Sequence, residues 1–361
     1  MTVLQRAGRV ALAVLQNRAG GVPRPSFCTY LVTYRCNARC GMCDSWRMKP
    51  GAELTPDDVA RVFRSIGPLE VVRLTGGEPF LREDLPEVAR AVWGESRPPV
   101  LHITTNGSFP ERVARFAETF PAPASLRFMV SFDGQEEEHD RSRGRDVTYA
   151  KARETVAALV ALRRRLGLEV SVNHTVISPR SLQDAAALQA EMAALGVDVH
   201  SVLAYAESSM YGLKLRGKRA THAIVPVGYP LHPALQGADV EGFVARELAR
   251  VPRLRDRAIR RGKRYYLRGL AARLRREPSP APHPPCVALR SHLRLLPDGR
   301  VPVCQFNTET VGNLAEQPFD EVFRGSEAQA ARRWVDDCPG CWAECEVVPS
   351  AVFSGDILRP L

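Results

Sequence analysis

Apolar residues in the first two thirds of the chain follow two alternating spacings. Short runs of consecutive apolar and β-branched residues, such as 27–34 and 100–105, are separated by stretches in which apolar residues recur every three or four positions. The first spacing is typical of buried strands and the second of amphipathic helices. Strands are therefore predicted at 27–34, 70–75, 100–105, 126–132, 168–177 and 197–205, and helices at 54–65, 84–93, 111–119, 148–165 and 181–195.

The order of these elements predicts the fold class. Strands that alternate with helices across short loops indicate an α/β protein with a parallel sheet covered by helices. A closed barrel of this kind has eight strand–helix units, and the pattern supplies six. We therefore predict a partial (β/α)6 barrel that stays open along one side.

The segments outside the barrel differ from it in composition. Residues 1–24 have the pattern of a short basic amphipathic helix followed by Gly and Pro, and 25–240 contain the predicted barrel. Residues 241–285 predict a basic helical linker whose last nine residues include five prolines. Residues 286–361 contain five of the nine cysteines and predict a small C-terminal cysteine-rich domain.

Most of the positive charge lies in one segment of the predicted linker. The net charge is +10, and 245–276 contain 13 Lys and Arg against two acids, so the rest of the chain sums to about −1. Such a segment is either a solvated helix between two domains or an amphipathic helix that contacts an anionic membrane, nucleic acid or peptide.

The apolar runs are too short for export or membrane insertion. The longest run near the N-terminus, 10–15, has six residues, whereas a membrane-spanning helix needs about 20, and no small-residue cleavage site follows it. We therefore expect a cytoplasmic, reducing location, in which the nine cysteines are metal ligands or free thiols rather than disulfides.

Three cysteines follow the first predicted strand within eight residues. Cys36, Cys40 and Cys43 have three residues in the first gap and two in the second. Functional groups collect at the C-terminal ends of barrel strands, so these thiols are candidate metal ligands. Thiolates hold iron–sulfur clusters, and three of them leave one iron of a four-iron cluster open to another ligand. A zinc site with a distant fourth ligand, or thiols without metal, are the alternatives.

Glycine-rich and polar motifs end the following strands in order. Thr75-Gly-Gly-Glu-Pro79 follows the second strand, Thr105-Asn-Gly107 the third and Val130-Ser-Phe-Asp-Gly134 the fourth, and His139-Asp-x-x-Arg-Gly144 comes shortly afterwards. Together with the Cys-x3-Cys-x2-Cys spacing, these motifs over 27–205 resemble the radical S-adenosylmethionine (SAM) superfamily.

The resemblance implies a cofactor site at this end of the barrel. Cys36, Cys40 and Cys43 would hold a [4Fe–4S] cluster whose open iron binds SAM. The implied SAM contacts are Gly76, Gly77 and Glu78 with the methionine amino group, Ser131 and Arg143 with the ribose and carboxylate, Asn173 on the fifth strand, and Met42 beside the adenine. The family often has an aromatic residue in place of Met42, but the apolar, adaptable methionine also suits adenine.

The five cysteines of the C-terminal region have a spacing of their own. Cys286 and Cys304 form a Cys-x12-Gly-x4-Cys pattern, and Cys338, Cys341 and Cys345 follow. This resembles the SPASM/twitch extension of radical SAM enzymes, which carries auxiliary iron–sulfur clusters. Five thiols are too few for two fully ligated cubanes, so we expect one auxiliary [4Fe–4S] cluster on Cys286, Cys304 and two of the last three, with Cys338 and Cys341 favoured. The fifth thiol is a ligand instead or a hydrogen-atom donor, and a structural zinc knuckle is the alternative for the region.

The resemblance also implies a reaction. Radical SAM enzymes reductively cleave SAM to a 5′-deoxyadenosyl radical, which abstracts hydrogen from a substrate C–H bond. The extension implies peptide maturation, or oxidation or epimerisation of a sugar-like or other small molecule, with flavodoxin or ferredoxin as electron donor. About 26 residues precede the first strand, too few for a separate leader-peptide domain of usual size. The alternative is an iron–sulfur or zinc binding module that docks on an anionic partner through 245–276.

Several further residues have weaker assignments. Cys28, within the first strand, is predicted to be a small buried core residue. His174, Tyr205, Glu207 and Tyr211 fall near the predicted open mouth of the barrel, where they would bind substrate or move a proton, although each alone is more often structural.

Overall fold

A sheet of seven parallel strands forms the centre of the molecule, for which a computed structural model describes residues 2–49, 51–145, 148–206, 229–279, 281–338 and 340–359. The spatial order of the strands is β6-β5-β4-β3-β2-β1-β7. The strands are β1 (Phe27–Thr33), β2 (Val71–Gly76), β3 (Val100–Thr105), β4 (Leu126–Phe132), β5 (Glu169–Val176), β6 (Asp198–Leu203) and β7 (His292–Leu295). The six predicted strands are confirmed, with ends within two residues of the prediction.

Helices follow the strands and cover one face of the sheet. The helices are α1 (Val3–Arg18), α2 (Pro56–Ile66), α3 (Leu85–Ser96), α4 (Pro110–Thr119), α5 (Glu136–Arg143), α6 (Thr148–Leu166), α7 (Pro179–Ala194), α8 (Val240–Arg250), α9 (Arg257–Leu274), α10 (Phe319–Arg324), α11 (Ser326–Asp336) and α12 (Glu344–Phe353). A short antiparallel pair, β8 (Arg300–Pro302) and β9 (Thr310–Asn313), completes the C-terminal region. The predicted α/β partial barrel is thus confirmed.

Alternation along the strands separates a helix-covered core from the barrel interior. On β2, Val72 and Leu74 are fully buried in the main core, and on β3 the same is true of Leu101 and Ile103. Successive strand residues point to opposite faces, so the residues between them point into the barrel. These inward residues, such as Thr75, His102 and Thr104, are on average more polar than the core residues.

The seventh strand comes from the cysteine-rich C-terminal region. Strand β7 pairs in parallel with β1, from Phe27 opposite His292 to Tyr30 opposite Leu295. The hydrophobic pattern did not predict it, because four residues reading His-Leu-Arg-Leu are too short and too polar to stand out. The C-terminal region therefore extends the barrel sheet, while the domain boundaries predicted at 240 and 285 stay predictions.

The N-terminal helix α1 lies against the segments that enter the strands. Its Arg6 donates to Glu70, directly before β2, with Nη1 and Oε2 3.2 Å apart, and its Asn17 donates to Ser291 Oγ, directly before β7, at 2.7 Å. Helix α1 therefore covers the end of the barrel opposite the cysteine loop. No described helix is long and apolar enough to cross a bilayer.

Candidate active site

The first three candidate ligands lie on one loop that leaves β1, here called the cysteine loop (34–44). Cys36, Cys40 and Cys43 are free thiols, with Cys40 buried and the other two partly buried. Burial raises the pKa of Cys36 to about 11 and that of Cys40 to about 12, and Cys43 contributes to both increases. The three thiols are therefore close enough to interact electrostatically, and metal binding there must release protons.

Two glycines bring the second strand's loop into direct contact with the start of the cysteine loop. A Cβ atom on Gly76 would lie 2.3 Å from the carbonyl oxygen of Thr33, and one on Gly77 would lie 2.1 Å from that of Arg35. The amide of Gly77 donates to Thr33 O and that of Glu78 to Arg35 O, both at 2.8 Å. Only glycine permits this approach, so the Gly-Gly pair positions the backbone immediately before Cys36.

The carboxylate of Glu78 is turned into the protein and fully buried. It accepts hydrogen bonds from the hydroxyl of Thr105 (2.8 Å), the amide of Asn106 (2.7 Å) and the amide of Phe80 (3.0 Å). Burial raises the pKa of Glu78 to about 7, against the effect of these hydrogen bonds. Glu78 thus fastens the Gly-Gly-Glu-Pro loop to the end of β3, and its contact with the SAM amino group stays a prediction.

The Thr-Asn-Gly motif at the end of β3 reaches the cysteine loop through a side chain. Asn106 Nδ2 donates to Asn37 Oδ1 at 2.8 Å, and Asn37 directly follows Cys36. The same asparagine orders its own turn, because its Oδ1 accepts from the amide of Ser108 at 2.9 Å. The third strand therefore also supports the thiols.

Arg143 holds the other side of the cysteine loop and forms a buried ion pair. Its Nε and Nη2 donate to the two carboxylate oxygens of Asp133 at 2.7 and 2.8 Å. Burial opposes ionisation of Asp133, but Arg143 lowers the pKa of that carboxyl below its usual value. The carbonyl of Arg143 accepts from the amide of Arg39 at 2.8 Å. Nε and Nη2 of Arg143 are therefore both bonded to Asp133. The contact of Arg143 with the SAM carboxylate stays a prediction.

The remaining predicted SAM contacts lie around the same end of the barrel interior. Ser131 on β4 and Asn173 on β5 are register partners with partly exposed side chains. Asn173 Nδ2 donates to Thr175 Oγ1 at 3.1 Å. Met42 is partly buried in the cysteine loop, and Trp46 Nε1 donates to Cys40 O at 3.4 Å. Their roles toward SAM stay predictions.

Four of the five C-terminal thiols form an interacting group. Burial raises the pKa of each thiol. Electrostatic interaction with a neighbouring thiol raises it further: Cys338 acts on Cys286, Cys286 acts on Cys304, and both Cys286 and Cys304 act on Cys341. The amide of Asn307 donates to Cys304 Sγ at 3.2 Å. These thiols come from segments far apart in sequence, so tertiary folding brings them together.

Cys345 differs from the other four in its surroundings. Its Sγ donates to Gln305 Oε1 at 2.8 Å. Burial raises the pKa of Cys345, and its main charged neighbours are Arg294 on β7, Glu346 and Arg73 on β2. Because Arg73 points into the barrel, Cys345 lies beside the barrel interior.

Glu346 connects the auxiliary thiols to the added strand. Its carboxylate pairs with Arg294 at 2.7 Å and accepts from the amide of Gln305 at 3.1 Å. Burial opposes ionisation, but Arg294 and His292 lower the pKa of Glu346 to about 2. The carboxylate therefore fixes the loop that carries Cys304 against β7.

Neither group of thiols is closed around a single metal ion. Among the described residues, no three His, Cys, Asp or Glu side chains form a site for one ion. The donor set is nevertheless that of iron–sulfur proteins, with free thiols and no disulfide partner for any of them. The residues present therefore fit clusters in which each thiolate binds its own iron.

The basic segment forms a groove on the outside of the molecule, here called the arginine groove. Its volume is about 710 Å³, and it is lined by Arg257, Arg260, Arg261, Arg264 and Arg268 of α9 with Ile357 and Arg359. The opposite face of α9 packs on the auxiliary region, where Trp342 Nε1 donates to Tyr266 O at 2.8 Å. The predicted helical linker is thus a packed helix with one strongly cationic face.

The weaker candidates have mixed outcomes. Cys28 is fully buried in the core, as predicted. His174 is buried, with Nδ1 3.3 Å from Ser201 Oγ, and its register neighbours place it on the helix-covered face. Tyr205 contacts the rings of Tyr229 and Phe306, with centroids 4.9 and 5.4 Å apart. The two other candidates, Glu207 and Tyr211, lie outside the described residues.

Comparison with known protein families identifies both regions. Residues 30–190 match the radical SAM superfamily, and residues 286–345 match SPASM, an iron–sulfur cluster-binding domain. This chain therefore contains a radical SAM domain and a C-terminal SPASM domain. A radical SAM domain binds a [4Fe–4S] cluster together with SAM, and the SPASM domain binds auxiliary iron–sulfur clusters.

Curated relatives share the radical SAM part of the chain. The GTP 3′,8-cyclase of Aquifex aeolicus (strain VF5) is 32% identical over 160 residues, which covers 40% of this chain and 46% of that protein. The GTP 3′,8-cyclase of Klebsiella pneumoniae subsp. pneumoniae is 33% identical over 177 residues, covering 42% and 51%. The chain thus spans about half the length of the curated relatives it matches.

A solved structure shares the fold over most of the chain. Native anSMEcpe with bound AdoMet and Cp18Cys peptide has a TM-score of 0.57 at 15% identity, covering 87% of this chain and 84% of that one. Streptococcus suis SuiB bound to S-adenosylmethionine has a TM-score of 0.56 at 14% identity, covering 92% and 69%. At these identities the likeness establishes the fold.

Several residues of the site were not predicted from the sequence. Asp133 lies within a recognised motif, but its pairing with Arg143 depends on the position of α5, which has no apolar periodicity. Glu346 follows a candidate ligand, yet nothing local marks it as the partner of Arg294. Asn37 and Asn106 stand out in the sequence only as polar residues within two motifs, and the hydrogen bond between them was not predicted.

Proposed function

We propose that this radical SAM protein is an enzyme that reductively cleaves SAM and abstracts hydrogen from a substrate C–H bond. One observation carries the proposal: the motifs that end β2 and β3 and the motif at the end of α5 all contact the loop that bears Cys36, Cys40 and Cys43. The Gly-Gly pair, Asn106 and Arg143 each contact that loop directly. A loop needed only for structure would not require three separate supports.

In this proposal the chain's own residues hold and orient the cofactor. Cys36, Cys40 and Cys43 ligate a [4Fe–4S] cluster, and the surrounding motifs fix the ends of their loop. When bound, the cluster and SAM supply a 5′-deoxyadenosyl radical, which is the hard part of the chemistry. Ser131 and Asn173, side by side on the inner face, orient the SAM ribose, while Met42 covers the adenine and excludes water.

The auxiliary cluster belongs, in this proposal, to Cys286, Cys304, Cys338 and Cys341. Cys286 interacts electrostatically with each of the other three, whereas the main charged neighbours of Cys345 are Arg294, Glu346 and Arg73. Cys345 is therefore left as the non-ligating thiol at the edge of the barrel interior.

Two substrate classes have support. Curated relatives are named for a reaction of GTP, a small molecule, and solved structures of the same fold hold a bound peptide or a precursor peptide. We propose a peptide or a small molecule such as a sugar-like compound. An electron donor such as flavodoxin or ferredoxin supplies the electron, and the free thiols suit a reducing cytoplasm.

Anaerobic reconstitution tests the proposal. Iron and sulfide are measured in the wild type, in Cys36→Ala/Cys40→Ala/Cys43→Ala, in Cys341→Ser and in Cys345→Ser, and 5′-deoxyadenosine is assayed after dithionite and SAM are added. We expect two cubanes' worth of iron in the wild type and Cys345→Ser, one in the other two variants, and nucleoside from every protein except the triple variant. Zinc in place of iron, or intact SAM after reduction, would reject the enzyme.

A binding role is the second candidate, and the arginine groove favours it. Six arginines line one concavity, and clefts of one charge concentrate oppositely charged partners. We propose that this face contacts an anionic partner, whatever the chemistry of the barrel. Arg260→Gln/Arg264→Gln/Arg268→Gln should then weaken a salt-sensitive association with an acidic flavodoxin, measured by biolayer interferometry, and equal affinities for variant and wild type would reject the contact.

A further inference from the structure

Exposed apolar side chains are concentrated on three neighbouring elements. Seven large hydrophobic side chains are exposed within the described part of the chain, and one of them, Trp46, lies beside the cysteine loop. The other six lie on α1, on α9 and in a helical turn at Asp356–Leu358, and they are Val3, Leu4, Leu12, Leu15, Ile259 and Leu358. Single exposed apolar residues are common on protein surfaces, whereas a cluster of them marks an interaction surface.

Hydrogen bonds join the three elements into one continuous surface. Arg18 Nε on α1 donates to Ser354 O at 2.8 Å, two residues before the turn at Asp356–Leu358 begins. On the other side of that turn, Arg261 Nε on α9 donates to Ile357 O at 2.8 Å. The turn therefore lies between α1 and the arginine groove. The combined surface is here called the basic apolar face, and it consists of Val3, Leu4, Leu12, Leu15, Ile259 and Leu358 together with the arginine groove.

Helix α1 turns charged side chains toward the protein and an apolar stripe toward solvent. Arg6 and Arg9 both pair with Glu70, at 3.2 and 3.7 Å, and Ala13 is the buried residue of this helix. On the opposite side, positions 4, 8, 11 and 15 fall on one stripe of the helix. All four are exposed and none is charged, since they are Leu4, Gly8, Ala11 and Leu15. A surface helix of a soluble protein normally has the reverse orientation, so packing within the described chain does not account for this stripe.

The basic apolar face has almost no acidic side chains. Residues 1–24 contain four arginines and no acid, and α9 contains no acid either. Within the described part of the chain, Arg359 is the groove arginine that pairs with a carboxylate, that of Asp356 at 3.0 Å. The nearby Asp256 is engaged as the cap of α9, because it accepts from the amides of Ala258 and Ile259 at 2.6 and 3.0 Å. The face therefore combines exposed apolar surface with a strong positive charge.

An anionic bilayer surface matches both properties at once. Its headgroups supply negative charge, and the boundary of its acyl chains accepts the apolar side of a helix that lies in the interface. Nucleic acid would pair with the arginines but would leave the leucines of α1 in water. A second copy in a two-fold contact would bring its own arginines against these, because each patch meets itself in such a contact.

We propose that the basic apolar face binds a membrane surface rich in anionic lipid headgroups, with α1 in the interface and the arginine groove against the phosphates. The inference rests on the second candidate function, in which the groove contacts an anionic partner, and it names that partner. Arginine suits this role because its guanidinium bonds two phosphate oxygens together. Helix α1 covers the end of the barrel opposite the cysteine loop, so membrane contact would localise the enzyme and leave that loop facing water.

Vesicle flotation of the anaerobically reconstituted full-length protein tests the inference. The vesicles contain phosphatidylglycerol mixed with phosphatidylcholine, or phosphatidylcholine alone, and the partition coefficient is measured at low and high salt. We expect binding to the mixed vesicles only, and weaker binding as salt rises. Arg260→Gln/Arg264→Gln/Arg268→Gln should lower the partition coefficient about a hundredfold, because each arginine near an anionic surface contributes about fivefold.

The apolar part of the face is tested without changing the charge. Leu4→Gln/Leu12→Gln/Leu15→Gln should lower the partition coefficient at least about tenfold, since these side chains no longer enter the interface. The same three positions changed to methionine should retain binding.

A matched variant controls for net charge. Arg61→Gln/Arg90→Gln/Arg115→Gln removes three exposed arginines from α2, α3 and α4. It changes the net charge as much as the groove variant does, and it should leave vesicle binding unchanged. Iron content and 5′-deoxyadenosine release from the same samples show that each variant still folds.

Three outcomes would overturn the inference. The first is no flotation with the anionic vesicles, and the second is an equal partition coefficient for the wild type and either the arginine or the glutamine-for-leucine variant. The third is a dimer in light scattering that the leucine variant dissociates, because a second copy would then cover α1. Weaker flavodoxin association in the arginine variant without any vesicle binding would reject the membrane contact alone and keep the groove as a contact for an anionic partner.

Discussion

At the scale of single residues, Glu78 is a motif carboxylate whose surroundings the sequence did not reveal. Its folded pKa is about 7 because the group is fully buried, whereas an unfolded glutamate titrates near 4.3. The folded state therefore holds more protons between these values, and stability falls as pH rises through the window. Glu78→Gln removes this dependence.

We expect urea unfolding of the wild type to lose about 1–3 kcal/mol between pH 4.5 and 7.5 relative to Glu78→Gln at matched iron content. The exposed Glu83→Gln serves as the control and should follow the wild type. Parallel pH profiles for wild type and Glu78→Gln would show that this carboxyl titrates normally.

The buried pair of Asp133 and Arg143 gives a second prediction at this scale. Removing one partner leaves an uncompensated buried charge, so Asp133→Asn and Arg143→Gln should each destabilise the protein by about 3–5 kcal/mol. The double variant should cost clearly less than the sum. Urea unfolding measures all three.

An exposed pair supplies the comparison for that cycle. Lys151 and Glu154 lie 2.8 Å apart with both side chains about half exposed, and solvent screening leaves such pairs little net contribution to stability. Additive effects at Asp133 and Arg143, no larger than those at the surface pair, would mean that the buried contact does not form in solution.

Residue chemistry was predictable where it is encoded locally. The spacing of Cys36, Cys40 and Cys43 identifies candidate ligands because one loop must carry them together. The polar lining of the barrel interior escaped prediction, since Arg73, His102 and His200 are each a polar residue in an alternating strand. Which of these side chains lie side by side depends on strand register, which hydrophobic patterns do not report.

At the scale of elements, the two glycines after β2 control how closely two loops approach. Gly77→Ala would place a methyl group 2.1 Å from the carbonyl oxygen of Arg35, so the cysteine loop must move. We expect Gly77→Ala to lose most of the iron of the first cluster and about 1–3 kcal/mol of stability. Iron analysis and urea unfolding are the measurements.

A glycine elsewhere isolates the steric effect from the loss of backbone freedom. Gly94 lies inside α3, and a Cβ there would meet nothing within 4 Å. Gly94→Ala should therefore raise stability by up to about 1 kcal/mol and leave iron unchanged. Full iron in Gly77→Ala would show that the loop tolerates the displacement.

Elements were predictable in proportion to their apolar content. The six long strands have buried alternating or continuous apolar residues and were found within two residues. Helix α5 (Glu136–Arg143) reads Glu-Glu-Glu-His-Asp-Arg-Ser-Arg and has no apolar residue, so no periodicity reveals it. It packs through buried polar side chains, including His139 and Arg143.

At the scale of the whole molecule, β7 makes the barrel and the cysteine-rich region one sheet. A chain ending at residue 285 would lack β7 and expose the backbone of the apolar strand β1, whose residues are all buried here. Unpaired apolar edges promote aggregation. We expect this truncated chain to form soluble aggregates or inclusion bodies, as judged by size-exclusion chromatography with light scattering.

A truncation at the N-terminal end is the control, because it shortens the chain without removing a strand. A chain starting at residue 21 removes α1 (Val3–Arg18) but no strand, so it should stay monodisperse with reduced stability. A monodisperse, folded 1–285 chain would show that β1 does not need its outer neighbour.

The pairing of β7 with β1 also determines when the sheet is completed during synthesis. Phe27 and its partner His292 are 265 positions apart, and synthesis at about 5–20 residues per second takes about 13–50 s to cover that interval. During this interval the nascent barrel has one unpaired edge, although the cysteine loop has already been synthesised. Contacts of such long range slow folding. A chaperone or an iron donor would therefore reach the cysteine loop before β7 pairs with β1.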